Sequence, residues 1–465
     1  MVAVTLVGGG LRARVALEPN ARQSADERSY VSVALGLADS GRYGKQSLHW
    51  PPGAPVAFAA AAKLSGRVQR GPVPDIPAAY WVQWLAGTLV IPLVFALAAA
   101  TVSRAPAFTT PGRASRHALW AGLVAAAVVA TYPPLIGATG DLLSEPLGAF
   151  WLTASLLALV CRRPAAGGLL LAAAVLTRAN LLVLIPVLAV AIALGRRGGP
   201  RFAVAALVPV VAWSLHVGAP VTTGGGSSLF VGTYLPGHGT LPGAKRALKS
   251  ETIRFAPELR GRHAKVLPGD RVLDAVAARR HGLDRDTALR DAALTNLATY
   301  PRRYPGRFAA MVAGKLPRLW LGPSRVGGRT TTLLRLWHAL LVLAALGGVL
   351  VSRNRTMLCV LAAFTLFHLV AGAMPRYALP LLPALIATGA AGWFSRLAQP
   401  RTTSSVRAYS DPLTRTSISA GPPVESASRI ARRNPASSSA TQLATPSPAA
   451  TVAKPIGPKS SDDRS

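Results

Sequence analysis

A carboxylate pair, Asp26-Glu27, stands in the first polar stretch of a chain that is otherwise mostly apolar. The stretch reads Ser24-Ala25-Asp26-Glu27-Arg28-Ser29-Tyr30, and Leu48-His49-Trp50-Pro51-Pro52-Gly53 follows it. A carboxylate at the mouth of a helical bundle can act as a general base, taking the proton of a hydroxyl as its oxygen attacks a sugar carbon. Adjacent side chains point in different directions, so one of the pair can face the bundle while the other binds backbone or water. A plainer reading stays open beside it: a solvated pair, or an N-cap for a helix through Tyr30.

Other ionisable groups stand where apolar segments begin or break. Glu145, in Leu143-Ser144-Glu145-Pro146-Leu147, opens one. Acids favour helix N-termini, so it can cap that helix or complete an acidic pair with Asp26, and Asp141 competes for the second role. Arg178 lies between two apolar runs. A guanidinium at membrane depth costs about 2.5 kcal/mol or more, which points to a partner. A phosphate suits its planar fork, and snorkelling to the interface is the alternative. Arg376, in Met374-Pro375-Arg376-Tyr377, has the same logic at the outer end of a later run. His49 can hydrogen-bond a phosphate or simply pack beside Trp50 and Pro51.

The elements that must position these residues are membrane helices. The chain has 465 residues, 51% of them hydrophobic, and Ala, Leu and Val fill long runs with almost no charge. Runs near 18 residues or more are long enough to span a bilayer. The alternation expected of a β-barrel is absent from the sequence. The fold class expected is therefore all-α, a polytopic transmembrane helical bundle of about 9–11 hydrophobic segments with a helical extracytoplasmic loop region. The net charge of +33 is read as basic loops and a basic tail beside anionic lipid, not as nucleic-acid binding. The two cysteines, Cys161 and Cys359, suggest neither a disulfide framework nor a metal site, and His216, His238, His263 and His281 lack metal-ligand spacing.

Met1–Leu17 reads as the end of a span, broken by Arg12 and Arg14, with the natural chain expected to begin upstream. An amphipathic helix is expected near Tyr30–Ala38, and a short interfacial or re-entrant one over Ala54–Leu64. Spans are expected at Ala79–Thr101, Ala118–Thr131, Pro146–Val160, Phe202–Val217, Leu333–Val351, Met357–Ala373 and Tyr377–Phe394. Ala165–Leu194 reads as two short helices meeting at Thr177-Arg178-Ala179-Asn180. In the long polar segment, Asp284–Tyr300 is patterned as an amphipathic helix before Pro301, and Gly224-Gly225-Gly226-Ser227-Ser228 reads as a flexible turn, not a P-loop. The divisions are 1–220, a catalytic module with first outer loop 18–78; 221–330, an extracytoplasmic region; 331–396, C-terminal spans; and 397–465, a disordered basic cytoplasmic tail.

The positive-inside rule gives a sidedness. With the N-terminus in the cytoplasm, the arginine-bearing loops 102–117, 162–163, 196–201 and 352–355 all fall inside. Asp26, Glu27, Asp141, Glu145, Arg178 and Arg376 then share the outer side. One shared face is what a common site needs.

Four stretches in this order resemble a family. They are Asp26-Glu27-Arg28-Ser29-Tyr30; His49-Trp50-Pro51-Pro52-Gly53-Ala54-Pro55; Leu143-Ser144-Glu145-Pro146-Leu147 through Leu176-Thr177-Arg178-Ala179-Asn180; and Pro375-Arg376-Tyr377-Ala378-Leu379-Pro380-Leu381-Leu382-Pro383. Together they resemble the GT-C-fold membrane glycosyltransferases, in the branch similar to protein mannosyltransferases and lipid A aminoarabinose transferases. The resemblance implies a multi-pass cell-membrane enzyme that takes a sugar from a polyprenyl-phosphate carrier on the extracytoplasmic side. It implies Asp26 as catalytic base and places Glu27 and Glu145 in the same acidic machinery. Tyr30, His49, Asp141, Arg178, Arg376 and Tyr377 are then substrate-binding candidates. Arg178, with Arg376 or a divalent cation such as Mg or Mn, would stabilise the departing phosphate. Trp50 departs from the pattern, standing where relatives often carry Lys or His. The expected partners are the lipid-linked donor, membrane lipid and a glycan, lipid or protein acceptor, with no nucleic acid. The alternative is a non-enzymatic lipid-linked sugar flippase or transporter, which would need a basic path for phosphate but no carboxylate in the first outer loop.

Overall fold

Apolar length sets the architecture, and polar breaks set where it bends. In a computed structural model of the chain, residues 1–19, 23–44, 48–70, 73–104, 111–195, 198–322 and 331–398 are described. Every regular element among them is helical, apart from an isolated bridge between Gln69 and Asp75. The N-terminal half runs α1 (Val2–Leu17), α2 (Ala25–Ser40), α3 (Gly53–Ser65), α4 (Pro77–Ser103), α5 (Pro111–Thr131), α6 (Pro133–Gly137), α7 (Glu145–Val160), α8 (Pro164–Thr177), α9 (Leu184–Gly195) and α10 (Gly199–Val217). The long polar segment contributes α11 (Gly225–Thr233), α12 (Leu241–Ala247), α13 (Lys249–Phe255), α14 (Gly269–Ala277), α15 (Arg285–Arg303), α16 (Pro305–Ala313) and α17 (Lys315–Trp320). The last helices are α18 (Thr332–Val351), α19 (Arg355–Val370), α20 (Pro375–Ala378) and α21 (Leu382–Leu397).

Among the described residues, α4, α10, α18 and the run Pro375–Leu397 are each long and apolar enough to cross a membrane. Ser115–Thr131 of α5 and Pro133–Gly140 meet that requirement only as a pair, bent by 57°, which is a broken span or a re-entrant loop. Shorter apolar helices, α7, α8, Ala179–Leu194 and α19, complete an all-α polytopic bundle.

Three hydrophobic cores divide the work. Leu152, Leu171, Phe202, Phe364 and Leu385 belong to the bundle core. Val31, Phe58, Ile76 and Leu142 close α2 and α3 onto the start of α4. Leu267, Val272, Leu289 and Ala293 form a separate core inside the long polar segment. Burying one Leu or Val in such a water-facing core stabilises by roughly 1.5–3 kcal/mol. That is how a polar segment of this length builds rigid walls.

Several expectations are corrected. The helix expected over Tyr30–Ala38 starts earlier, at Ala25, because Ser24 and Glu27 form a capping box. The helix expected to stop before Pro301 continues to Arg303. Proline removes only its own N–H from the ladder, and the Tyr304 N–H still donates to the Tyr300 carbonyl at 2.8 Å. The glycines at 224–226 are not a flexible turn: Gly225 begins α11. At Gly226 a Cβ would stand 2.1 Å from the Asp286 carbonyl oxygen, so the missing side chain lets α11 close on α15. Arg12 does not break α1. It is buried, and it donates to the carbonyls of Val129 (2.8 Å) and Ala130 (3.0 Å) at the end of α5. Those carbonyls have no intrahelical partner of their own. The basic loop residues Arg196 and Arg197, and the tail from 399 onward, lie outside the described residues.

Candidate active site

Asp26 is placed by its neighbour. Glu27 accepts the Ser24 N–H through Oε2 at 2.7 Å, and Ser24 Oγ accepts the Glu27 N–H at 3.2 Å. Glu27 Oε1 accepts the Leu142 N–H at 3.2 Å. One buried carboxylate thus starts α2 and fastens it to the turn before α7. Both oxygens of Glu27 are taken by backbone amides, which position α2. Asp26, one residue earlier, points elsewhere. It forms an ion pair with Arg376 of α20, and its side chain is 35% exposed.

Arg178 reaches the same place from a different break. At the end of α8 its backbone turns extended, and a 3-10 turn over Ala179–Val183 leads into α9. Its Nη1 lies 3.0 Å from Glu145 Oε1 and donates to Ser144 Oγ at 2.9 Å. Both members of this pair are buried, at 8% and 5% exposure. Two glycines clear the way. A Cβ on Gly148 would stand 2.9 Å from Arg178 Cδ, and one on Gly53 would stand 2.4 Å from Thr177 Oγ1. The Pro51-Pro52-Gly53 motif therefore docks on the end of α8.

Tyr30 joins the two halves. Its hydroxyl donates to Ser144 Oγ at 3.2 Å, and its ring packs on Trp50 at 4.3 Å. Burial pushes its hydroxyl pKa up to about 12, so it stays a neutral donor. Arg376 interacts electrostatically with Glu145 as well as with Asp26. Arg376 also lies over the Tyr377 ring, 5.8 Å from its centroid, and Tyr377 stacks on His368. Asp26, Tyr30, Glu145, Arg178, Arg376 and Tyr377 thus converge.

His49 and Asp141 make other contacts. His49 packs edge-on against Trp50, and its carbonyl accepts the Thr222 hydroxyl at 2.7 Å. It lines a cavity with Asp26 that Arg178 and Arg376 do not reach. Burial holds its pKa below the usual histidine value, so it is neutral near pH 7. Asp141 offers its backbone carbonyl to Gln83, whose amide also binds the Leu143 carbonyl.

Sequence reasoning did not single out Ser144, Gln83, His368 or Asn180 on its own. Asn180 Nδ2 lies 3.3 Å from His368 Nε2, and His368 Nδ1 lies 2.9 Å from the Gly372 carbonyl. This contact ties the Arg178 break to the loop that carries Arg376. Only the adjacency of Asn180 to Arg178 hinted at it.

Two features bear on charge. The Nε–H groups of Arg178 and Arg376 are buried without a hydrogen-bond acceptor among the described residues. An unmet buried donor costs about 1–3 kcal/mol, which an anionic ligand would recover. Among the described residues no three His, Cys, Asp or Glu side chains lie together so as to hold a metal ion. The positive charge the described residues bring to the site is that of the Arg178 and Arg376 guanidinium groups.

No protein-family model and no curated protein matches the chain. Two crystal structures of ArnT from Cupriavidus metallidurans, one bound to undecaprenyl phosphate and one in the apo state, are similar to it at 18% identity and a TM-score of 0.35. Each similarity covers 84% of this chain and 76% of that one.

Proposed function

We propose that the chain is a membrane glycosyltransferase that moves a sugar from a polyprenyl-phosphate carrier to an acceptor at the outer face of the cytoplasmic membrane. One observation carries the reading: Asp26 stands between the Arg376 guanidinium on one side and an open polar cavity on the other. A base belongs at such a border between a leaving anion and an incoming nucleophile.

The donor phosphate takes the free donor capacity of Arg178 and Arg376. In doing so it draws Arg376 from Asp26 and releases the carboxylate. The acceptor hydroxyl then attacks the anomeric carbon while Asp26 takes its proton. The bond from that carbon to the phosphate oxygen breaks, and the electron pair leaves with the polyprenyl phosphate. The two guanidinium groups stabilise the charge that builds on the leaving oxygen. Phosphate is a good leaving group, so no general acid is required. Direct displacement inverts the configuration of the sugar carbon.

The test is cleavage. Purified chain in lipid vesicles, given a radiolabelled polyprenyl-phosphate sugar and an envelope extract, is expected to release polyprenyl phosphate and label the extract. Movement of intact donor across the bilayer without cleavage would instead mark a flippase.

A further inference from the structure

Asp26 opens onto a cavity of about 510 Å³ between the first outer loop and the long polar segment. That lies within the roughly 300–1,000 Å³ of small-molecule sites. We propose that this cavity is the acceptor site and that it takes a neutral, polyhydroxylated group, the end of an uncharged glycan, in preference to a phosphorylated one. This rests on the reading of Asp26 as the transfer base.

The cavity has fixed walls. The Thr223 N–H donates to the Leu48 carbonyl at 2.9 Å, and the Thr222 hydroxyl donates to the His49 carbonyl at 2.7 Å. The far wall is held by Asp286, which accepts the Gly226 N–H at 2.8 Å, and by Asp284, which caps α15. Four aspartates, Asp26, Asp270, Asp284 and Asp286, face the space, with Arg285 the one guanidinium among the lining residues.

That guanidinium is charge-balanced within the wall by ion pairs with Asp270 at 3.0 Å and Asp274 at 2.6 Å. His49 adds no charge near pH 7. A phosphate placed here would meet four aspartates against one guanidinium that is already ion-paired. No three of the lining carboxylates cluster together among the described residues. Dispersed acceptors suit a ligand with many spaced O–H donors. Asp270 and Asp286 each have one oxygen engaged by protein, and the other makes no hydrogen bond among the described residues. Trp50 lines the same space and is braced by its ring N–H to Ser29 Oγ at 2.7 Å. A rigid indole beside carboxylates offers an apolar face for a sugar ring and polar edges for its hydroxyls.

The experiment uses the full chain in lipid nanodiscs and saturation-transfer NMR. The probes are methyl α-D-mannopyranoside, a neutral mannose disaccharide and mannose 6-phosphate. Undecaprenyl phosphate binding, read by native mass spectrometry, serves as the donor-side control. We expect transfer to the neutral sugars and none to mannose 6-phosphate. The isosteric double variant Asp270→Asn/Asp286→Asn should lose most of the neutral-sugar signal, and so should Trp50→Ala, with undecaprenyl phosphate binding unchanged. Binding of mannose 6-phosphate as strong as that of mannoside, or a full neutral signal in both variants, would overturn the inference. If undecaprenyl phosphate binds and the neutral sugars do not, the acceptor assignment alone fails. If undecaprenyl phosphate does not bind, the transferase reading fails with it.

Discussion

Asp26 and Arg376, 350 residues apart in the sequence, form an ion pair at the mouth of the bundle. Each side chain remains about one-third exposed. The pair is therefore tight enough to set both orientations and open enough to be parted by a competing anion. Glu145 and Arg178, deeper in the bundle, form a second, mostly buried pair. The outer pair is suited to exchange partners, and the inner pair to hold the site in shape.

Replacing Arg376 by Gln should weaken donor binding more than it disturbs the fold. Loss of a charge-assisted hydrogen bond costs about 1.5–3 kcal/mol, or roughly 10- to 100-fold in affinity. Native mass spectrometry with undecaprenyl phosphate measures this directly. Wild-type affinity in Arg376→Gln would remove that residue from the phosphate site.

The inner pair should behave in the opposite way. Glu145→Gln or Arg178→Met alone leaves a buried charge without its counterpart, and breaking such a pair costs about 3–5 kcal/mol. The double variant should recover much of the thermal stability in detergent and none of the transfer. Full stability in either single variant would show that the pair is not needed to hold α7 against α8.

Gly148→Ala tests the path of Arg178. The new methyl would stand 2.9 Å from Arg178 Cδ, so the side chain must shift. Transfer should fall through a higher KM for donor, with α7 still helical by circular dichroism. An unchanged KM would mean that Arg178 has room to move without cost.

Lys315 gives a pH signature. It is buried and donates to the carbonyls of Leu369 (2.7 Å), Val370 (3.3 Å) and Ala371 (3.0 Å), on the approach to Arg376. Burial lowers its pKa from 10.5 to about 8. Between those values the unfolded chain binds more protons than the folded one, so this group's contribution to stability rises with pH. The penalty for burying its charge is fully present below about pH 8 and is relieved towards 10.5. Thermal scans across this window should rise more steeply for wild type than for Lys315→Met. Parallel curves would contradict the assignment.

Much of this arrangement was legible in the residues. Apolar length alone located α4, α7, α10, α18, α19 and α21, and the polar break at Arg178 located the joint between α8 and α9. Charge asymmetry placed Asp26, Glu145, Arg178 and Arg376 on one face. Pairing was not legible. Nothing in the spacing says that Asp26 meets Arg376 while Glu145 meets Arg178, because that depends on how α2, α7, α8 and α20 pack. The role of Glu27 was hidden for the same reason, since Leu142 lies 115 residues away along the chain. Ser24 three residues before Glu27 is a legible capping-box pattern, whereas the cap reading of the sequence falls on the Asp26-Glu27 pair. The glycines at 224–226 misled because close helix packing and flexibility use the same residue.

The most direct measurement is sugar transfer by Asp26→Asn, at matched abundance, in membranes of a strain lacking the native gene. The substitution keeps the shape of the side chain and its hydrogen bond to Arg376 and removes the basic oxygen. General-base catalysis contributes about 10²- to 10⁴-fold, so transfer should fall by that factor with undecaprenyl phosphate binding retained. Transfer within twofold of wild type would show that Asp26 is not the base.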